Sequence, residues 1–419
     1  VTGSSSFLRR LLRRSASASD NLNNIPPAPQ RILITQRELK NYGGSEFFAI
    51  EVARALKNRG REVAIYCPAP GKLANIVTPS GIPVCETPAE VPFTPDVIHG
   101  QHHLPTMAAL AHFPDTPAIY CWHGTRPWVE RPPVHPRIRF HVVTSERMAP
   151  RLATETTIPE DRIVTIPNFV DLERFSRVRK TIARPARAVL YGQSGFYPAE
   201  LELLETACAD HGIALDKVGY AYGNPRPRPE YFLPDYDIAF AIGRSAIEAA
   251  ASGCAVIPVV PQLAGAIVVP DTLDDWAASN FSPRYFTSAS VMDSDWLGRQ
   301  LEDFDQEKVR QVTHAIRDRF SIGPAITSFE SLYRRAGSTG PAQGSGSEFG
   351  HYLTTMAHEI DAMWGELECR KVDEPTIQAR IAALEAALAD AENRTRALTD
   401  KLLEQAPAPS GSDNKAVGR

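Results

Sequence analysis

Arg244 and Glu248 stand four residues apart in the run Asp237-Ile-Ala-Phe-Ala-Ile-Gly-Arg-Ser-Ala-Ile-Glu-Ala-Ala-Ala-Ser-Gly-Cys-Ala-Val-Ile257. An apolar strand ends in Gly243-Arg244. A short helix carries Ser245 and Glu248, and a second apolar strand begins after Gly253. Open α/β sheets bind ligands at the carboxyl ends of their strands. The guanidinium fork suits a diphosphate, because it makes paired, charge-assisted hydrogen bonds. A carboxylate suits a ribose, because it accepts hydrogen bonds from vicinal hydroxyls. Taken alone, the pair reads equally well as a helix cap and a surface arginine.

A second candidate is the loop Asn41-Tyr-Gly-Gly-Ser-Glu46. It has neither Walker spacing nor the dinucleotide fingerprint. Two glycines before a helix still let backbone approach a ligand and present amides to an anion. A tight turn would use them too. Histidines follow two strands, in Asp96-Val-Ile-His99-Gly-Gln-His102-His103 and Cys121-Trp-His123-Gly124. No Glu-bearing helix motif accompanies them, so sugar hydrogen bonding or packing is expected of them and no metal. Asp235-Tyr-Asp237 sits at a strand entrance and reads as structural.

The elements that position these residues alternate. Strand Arg31–Thr35, the glycine loop, a helix from Ser45 to Asn58 and strand Glu62–Cys67 make a βαβ unit. Strands are predicted at Ile82–Cys85, Asp96–His99, Ala118–Trp122, Phe140–Thr144 and Ile163–Ile166, with helices at Leu104–His112 and Ser145–Thr154. After a basic, proline-containing linker come strand Ala188–Tyr191, helix Ala199–His211 and strand Lys217–Tyr220. The strand–Gly-Arg–helix–strand segment, a strand at Ala266–Val269 and a helical pattern from Asp305 to Arg335 complete a second half. Two α/β halves of similar size argue for a ligand cleft between them.

Taken in order and spacing, several motifs resemble glycosyltransferase family four. They are Gly43-Gly44-Ser-Glu46, Asp96-Val-Ile-His99, Trp122-His123-Gly124, Thr144-Ser-Glu146, Ile163-Val-Thr-Ile-Pro-Asn-Phe-Val-Asp-Leu-Glu-Arg-Phe175 and Glu248-Ala-Ala-Ala-Ser-Gly-Cys-Ala-Val-Ile257. The resemblance implies an α/β fold of two Rossmann-like domains facing across a cleft (GT-B), here with a C-terminal helical or coiled-coil tail. It implies a retaining, metal-independent transfer from a nucleoside-diphosphate sugar, with no separate cofactor. The acceptor would be a hydroxyl on a growing glycan or lipid-linked saccharide. His123, Arg244, Gly43 and Gly44 would be catalytic. Glu248, Arg244, Gly243, Gly192 and Ser245 would hold the donor. Phe240 stands where the family has a second glutamate, and Tyr191-Gly-Gln-Ser194 stands where it has a basic pair. Arg244 would replace that charge, and its alanine variant is expected to lose turnover with little loss of fold. No nucleophile is assigned. A non-catalytic scaffold or sugar-nucleotide-binding protein is the competing reading. A sugar-nucleotide epimerase using His102, His103 and Glu146 is a further one.

Domain boundaries are expected at 1–30 (a flexible basic segment), 31–175 (acceptor domain), 176–336 (donor domain with a closing helix), 337–375 (linker and helix), 376–405 (coiled coil) and 406–419 (disordered tail). The seam Ile377, Ile381, Leu384, Leu388, Ala391, Thr395, Leu398, Leu402 alternates spacings of four and three, so a homo-oligomer is expected through it. The chain has 419 residues, 43% hydrophobic, with a net charge of -4, which gives no general reason to expect nucleic-acid binding. Its six scattered cysteines fit a reducing compartment, hence the cytoplasm. The basic–apolar stretch Phe7–Arg14 lacks a signal-peptide core and suits peripheral contact with the inner face of a membrane.

Overall fold

The computed structural model describes residues 29–124, 128–180, 182–192, 195–286, 290–338 and 346–367, with a few helical residues between 382 and 393. The chain divides into one unit up to Ser345 and another from Gly346. Within the first unit lie two parallel sheets, each the centre of one α/β half, and a small antiparallel one.

The first half is built on β1 (Arg31–Thr35), α1 (Gly44–Asn58), β2 (Glu62–Tyr66), β3 (Val84–Cys85), β4 (Val97–Gln101), α2 (His103–His112), β5 (Ala118–Trp122), β6 (Ile138–Val143), α3 (Ala149–Glu155) and β7 (Ile163–Thr165). Its seven strands run in the order β3-β2-β1-β4-β5-β6-β7, all parallel. A parallel sheet covered on both faces needs continuous apolar strands. Ile32, Leu33 and Ile34 meet that need and are fully buried. On α1 the apolar positions Phe48, Val52 and Leu56 recur at helical spacing and join the core of this sheet.

The second half contains β8 (Arg187–Tyr191), α4 (Pro198–Asp210), β9 (Ala214–Val218), β10 (Ile238–Phe240), α5 (Gly243–Ala251) and β11 (Ala255–Ile257). Its parallel strands run β11-β10-β8-β9. A small antiparallel sheet follows, of β12 (Val259–Val260), β13 (Leu263–Ala264) and β14 (Ser290–Val291). The strand expected at Ala266–Val269 is not formed. The preceding hairpin, which turns at Pro261-Gln262, pairs in the separate small sheet, and Val268 N–H donates to Val256 O at 2.9 Å.

The chain closes with α6 (Ser294–Glu302), α7 (Gln306–Arg319) and α8 (Ile322–Ser338). The helical pattern from Asp305 to Arg335 therefore breaks at Phe320-Ser321. The break lets two apolar faces serve different cores. Val312 and Ile316 of α7 pack in the second half. Ile326, Phe329 and Tyr333 of α8 pack in the first. The closing helix, expected with the second half, thus covers the first sheet. The two crossings between halves are paired: Val170 N–H donates to Phe320 O at 2.8 Å, and Ile322 N–H to Val170 O at 3.0 Å.

Residues 346–367 form a helix on which Leu353, Ile360, Met363 and Trp364 are exposed. The seam residues Ile377 to Leu402 lie outside the described residues, as does Phe7–Arg14. Among the described residues, no helix is long and apolar enough to cross a membrane.

Candidate active site

Where neighbouring parallel strands send their connections to opposite sides, a crevice opens beyond their carboxyl ends. In the first sheet that point lies between β1 and β4, in the second between β8 and β10. The glycine loop and His102-His103 leave the first crevice. Gly192 and Gly243-Arg244 leave the second. His123 follows β5, next along the first sheet. A chain of aromatic contacts links His123 to Arg244. The His123 ring meets Phe48 edge-on at 4.6 Å, Phe48 lies 5.0 Å from Phe169, and the Arg244 guanidinium lies 5.7 Å from the Phe169 ring centre.

Arg244 is not a surface cation. It is 8% exposed and held by carboxylates from both halves. Its Nε donates to Glu248 Oε1 at 2.8 Å, one turn along α5. Its Nη2 donates to Glu51 Oε2 at 2.5 Å, on α1 of the first half. Its Nη1 is buried and, among the described residues, has no hydrogen-bond partner. Burial alone would lower the guanidinium's pKa. The Glu51 and Glu248 charges outweigh it and hold the pKa above its ordinary value, so the group stays charged. The other Glu51 oxygen takes Arg174 of the crossing segment, and Arg174 reaches on to Glu230 at 2.8 Å. Breaking one partner out of a buried ion network costs about 3–5 kcal/mol. The expectation that Arg244→Ala would leave the fold nearly untouched is therefore corrected. It rested on a solvent-exposed guanidinium, and here removal strands two buried carboxylates.

Glu248 has its remaining oxygen, Oε2, bonded to the Tyr191 hydroxyl at 2.8 Å. Burial first, and then the Glu248 charge, push the Tyr191 phenol well above its ordinary pKa, so it is a fixed donor. A ribose hydroxyl reaching Glu248 would share these oxygens with Arg244 and Tyr191, or displace the tyrosine. Gly192, just past β8, has φ +73°, and a Cβ there would come within 2.4 Å of Ser245 Oγ. A side chain at 192 would close the gap between β8 and the first turn of α5. The Gly243 amide donates to Asn280 O at 3.0 Å and so serves the fold. Asn280 in turn accepts from Asn168 Nδ2 at 2.8 Å.

On the first half, His123 Nε2 lies 2.7 Å from Gln101 Oε1, so with this carbonyl facing it the ring carries its proton there. Burial is the main reason its pKa falls to about 4, with Glu130 opposing and His102 and Arg244 assisting. A neutral imidazole can orient a sugar hydroxyl but is not a standing positive charge. The His123 amide donates to Glu130 Oε2 at 3.2 Å, and Glu130 Oε1 lies 3.4 Å from His102 Nε2. Burial would raise the Glu130 pKa, yet the His102 hydrogen bond and the neighbouring histidines bring it below its usual range. His102 itself has φ +59°, a strained conformation for a non-glycine residue, and its Nδ1 accepts from the Arg37 amide at 3.2 Å.

The glycine loop ends at Gly43, which precedes α1, and Gly44 is its first residue. A Cβ on Gly43 would come within 2.3 Å of Glu46 Oε2, whereas one on Gly44 would meet nothing within 4 Å. Only at Gly43 is the approach close, and the near atoms are the far end of the Glu46 side chain. Glu46, buried at 7% exposure, lies at this helix start and has its pKa raised by burial. An anion docking on these amides meets that carboxyl.

The other sequence candidates resolve simply. Phe240 is a core residue of β10 at 1% exposure, so nothing at that position faces a donor sugar. Asp237 binds Arg179 Nε at 2.6 Å and the Ala186 and Arg187 amides, and Asp235 pairs with Arg177 at 3.1 Å. Both are structural. His99 is enclosed between Tyr333 Oη at 2.6 Å and Cys121 Sγ at 3.1 Å. Among the described residues no cluster of His, Cys, Asp or Glu could hold a metal ion.

Sequence reasoning missed Glu51, Arg174, Gln101 and Glu130. Glu51 had a signal, a charge one turn from Phe48 and Ala55 on the apolar face of α1. The others reach the site through tertiary contacts alone.

Residues 89–174 match the model of Glycosyltransferase Family 4. No curated protein matches the chain. A glycosyltransferase from Rickettsia africae is similar in structure at 16% identity, with 74% of this chain and 99% of that chain covered and a TM-score of 0.53. The Anabaena protein HepE, solved with UDP and glucose, is similar at 13% identity, covering 72% and 98% with a TM-score of 0.50. Its form with UDP-glucose is similar at 14% identity, with the same coverage and TM-score. The fold of this chain is GT-B, and the chain resembles glycosyltransferase family four.

Proposed function

We propose that the chain moves a sugar from a nucleoside-diphosphate sugar to a hydroxyl of a growing glycan or lipid-linked saccharide, with retention and without a metal. The observation that carries this reading is the buried Nη1 of Arg244 at the second-half crevice, which has no hydrogen-bond partner among the described residues. A charged donor left unsatisfied in low dielectric is costly unless a ligand completes it. A diphosphate does so. Similarity to HepE, solved with UDP-glucose, supports that choice of ligand.

The bond between the anomeric carbon and the β-phosphate oxygen breaks, and the acceptor oxygen bonds to that carbon. The acceptor proton leaves with the nucleoside diphosphate or to solvent. Charge grows on the departing phosphate. Arg244 and the amides of Gly43 and Gly44 would stabilise it more in the transition state than in the ground state. Neutral His123 would hold a sugar hydroxyl, with Glu130 and Gln101 fixing its place. Glu248, with Gly192 and Ser245 beside it, would hold the ribose. We place this reaction in the cytoplasm, with the basic N-terminal segment at the membrane face.

The test is calorimetric titration and turnover with UDP-, GDP-, ADP- and dTDP-sugars, following release of the nucleoside diphosphate. Release with one donor class is expected. Binding without release, over a panel of saccharide acceptors, would favour a binding-only protein, a reading that the core position of Phe240 supports. Isomerised donor with its nucleotide intact would favour an epimerase.

A further inference from the structure

Arg244 belongs to the second half, yet its orientation is set from the first. Its Nε is held by Glu248 on its own helix, and its Nη2 by Glu51 on α1. With two corners of the planar group fixed by two rigid helices, the position of Nη1 is determined. That is the corner left without a partner among the described residues, and it is buried. Glu51 is itself 2% exposed and is also held by Arg174, in the segment that crosses between the halves. Arg174 is anchored at its other end by Glu230 of the second half at 2.8 Å.

We infer that Glu51, held by Arg174, is a positioning residue that reaches across the cleft to aim Arg244 Nη1 at the donor diphosphate, so that the anion site is complete only when both halves contribute. The inference rests on the proposed donor chemistry and adds to it a residue from the opposite domain.

A competing account has Glu51 as a stand-in anion that the diphosphate displaces. The geometry is against it. Glu51 sits in the interior of a packed helix and serves two guanidiniums, so displacing it strands Arg174 as well. A ligand that takes Nη1 disturbs neither pair.

The experiment uses the full chain and four probes, the uridine, guanosine, adenosine and thymidine diphosphates, each compared with its monophosphate by calorimetry. The quantity read is the ratio of monophosphate to diphosphate dissociation constants for the best-bound base. In Glu51→Gln one of the two acceptor oxygens becomes an NH2 donor facing an arginine, and the charge is lost. The ratio is expected to fall about tenfold, the size of one lost charge-assisted hydrogen bond, with monophosphate affinity retained. Glu51→Asp keeps the charge but shortens the reach, and is expected to give a smaller fall. It also serves as the variant to read if Glu51→Gln does not fold. A ratio equal to wild type in a folded variant overturns the positioning role while leaving the donor reading intact. A rise in diphosphate affinity overturns it in favour of the stand-in anion. If the wild type binds none of the four diphosphates, the donor reading fails and the inference with it.

Discussion

Glu51 and Arg244 form an ion pair, Oε2 to Nη2 at 2.5 Å, between helices that belong to opposite α/β halves. Both side chains are buried, at 1% and 8% exposure. The pair is close to the aromatic contacts that lead to His123, so cleft geometry and cleft chemistry share the same residues. A surface ion pair would contribute little. This one is desolvated and shared with Glu248 and Arg174.

Arg244→Met is expected to lower unfolding free energy by about 3–5 kcal/mol, because Glu51 and Glu248 lose a shared buried counter-charge. Denaturant unfolding reads this directly. A loss below about 1 kcal/mol, the range of exposed pairs, would mean that the network is open to water in solution.

Two glycines should separate binding from folding. Gly43 has an ordinary backbone at φ -89°, and the atom its Cβ would meet is the far end of the Glu46 side chain. Gly43→Ala is expected to stay within about 1 kcal/mol of wild type while losing most donor affinity, because a methyl group then stands over the amides. Gly192 has φ +73°, which costs a side-chain-bearing residue about 1–2 kcal/mol before its contact with Ser245 is counted. Gly192→Ala should therefore lose stability and affinity together. Thermal melts with calorimetry decide both, and a Gly43→Ala protein with full affinity removes that loop from the anion site.

Stability should fall as pH drops from 7 to 5. Burial lowers the pKa of His99 and His141 to about 3 and of His123 to about 4. Over this window the unfolded histidines take up protons and the folded ones do not. The stabilisation is therefore full above the unfolded value near 6.5 and is lost as pH falls toward the folded one. His99 and His141, which are buried from solvent, each contribute up to about 2 kcal/mol of that loss by pH 5. His141→Gln should flatten the slope by roughly that amount in denaturant titrations. An unchanged slope would show that His141 is reached by water.

Removal of residues after Pro375 is expected to convert an oligomer to a monomer, read as mass in solution at micromolar concentration. The seam that motivates this carries Ala391 and Thr395, so a weak, concentration-dependent assembly is expected. A full-length chain that is already monomeric at high micromolar concentration defeats the proposal.

The chain's own pattern determined the two α/β halves, because continuous apolar strands and amphipathic helices are local properties. Arg31–Thr35 and Ala118–Trp122 were legible to the residue, and the helix ending at Asn58 nearly so. It also pointed to the loops after β1, β5 and β10, and so to Gly43, His123, Arg244 and Glu248. Partnership was not legible. That Arg244 meets Glu51, 193 positions away, depends on how two sheets face each other. No periodicity encodes that. The break at Phe320-Ser321, which sends α8 back to the first core, also needed the tertiary structure, because either core would accept an amphipathic helix. Phe240 shows the same limit from the other side. Its type suggested an altered donor site, and only the fold showed a strand residue facing the core. Local sequence sets which face of an element is apolar. What that face meets, and which charges it brings together, is decided by long-range packing.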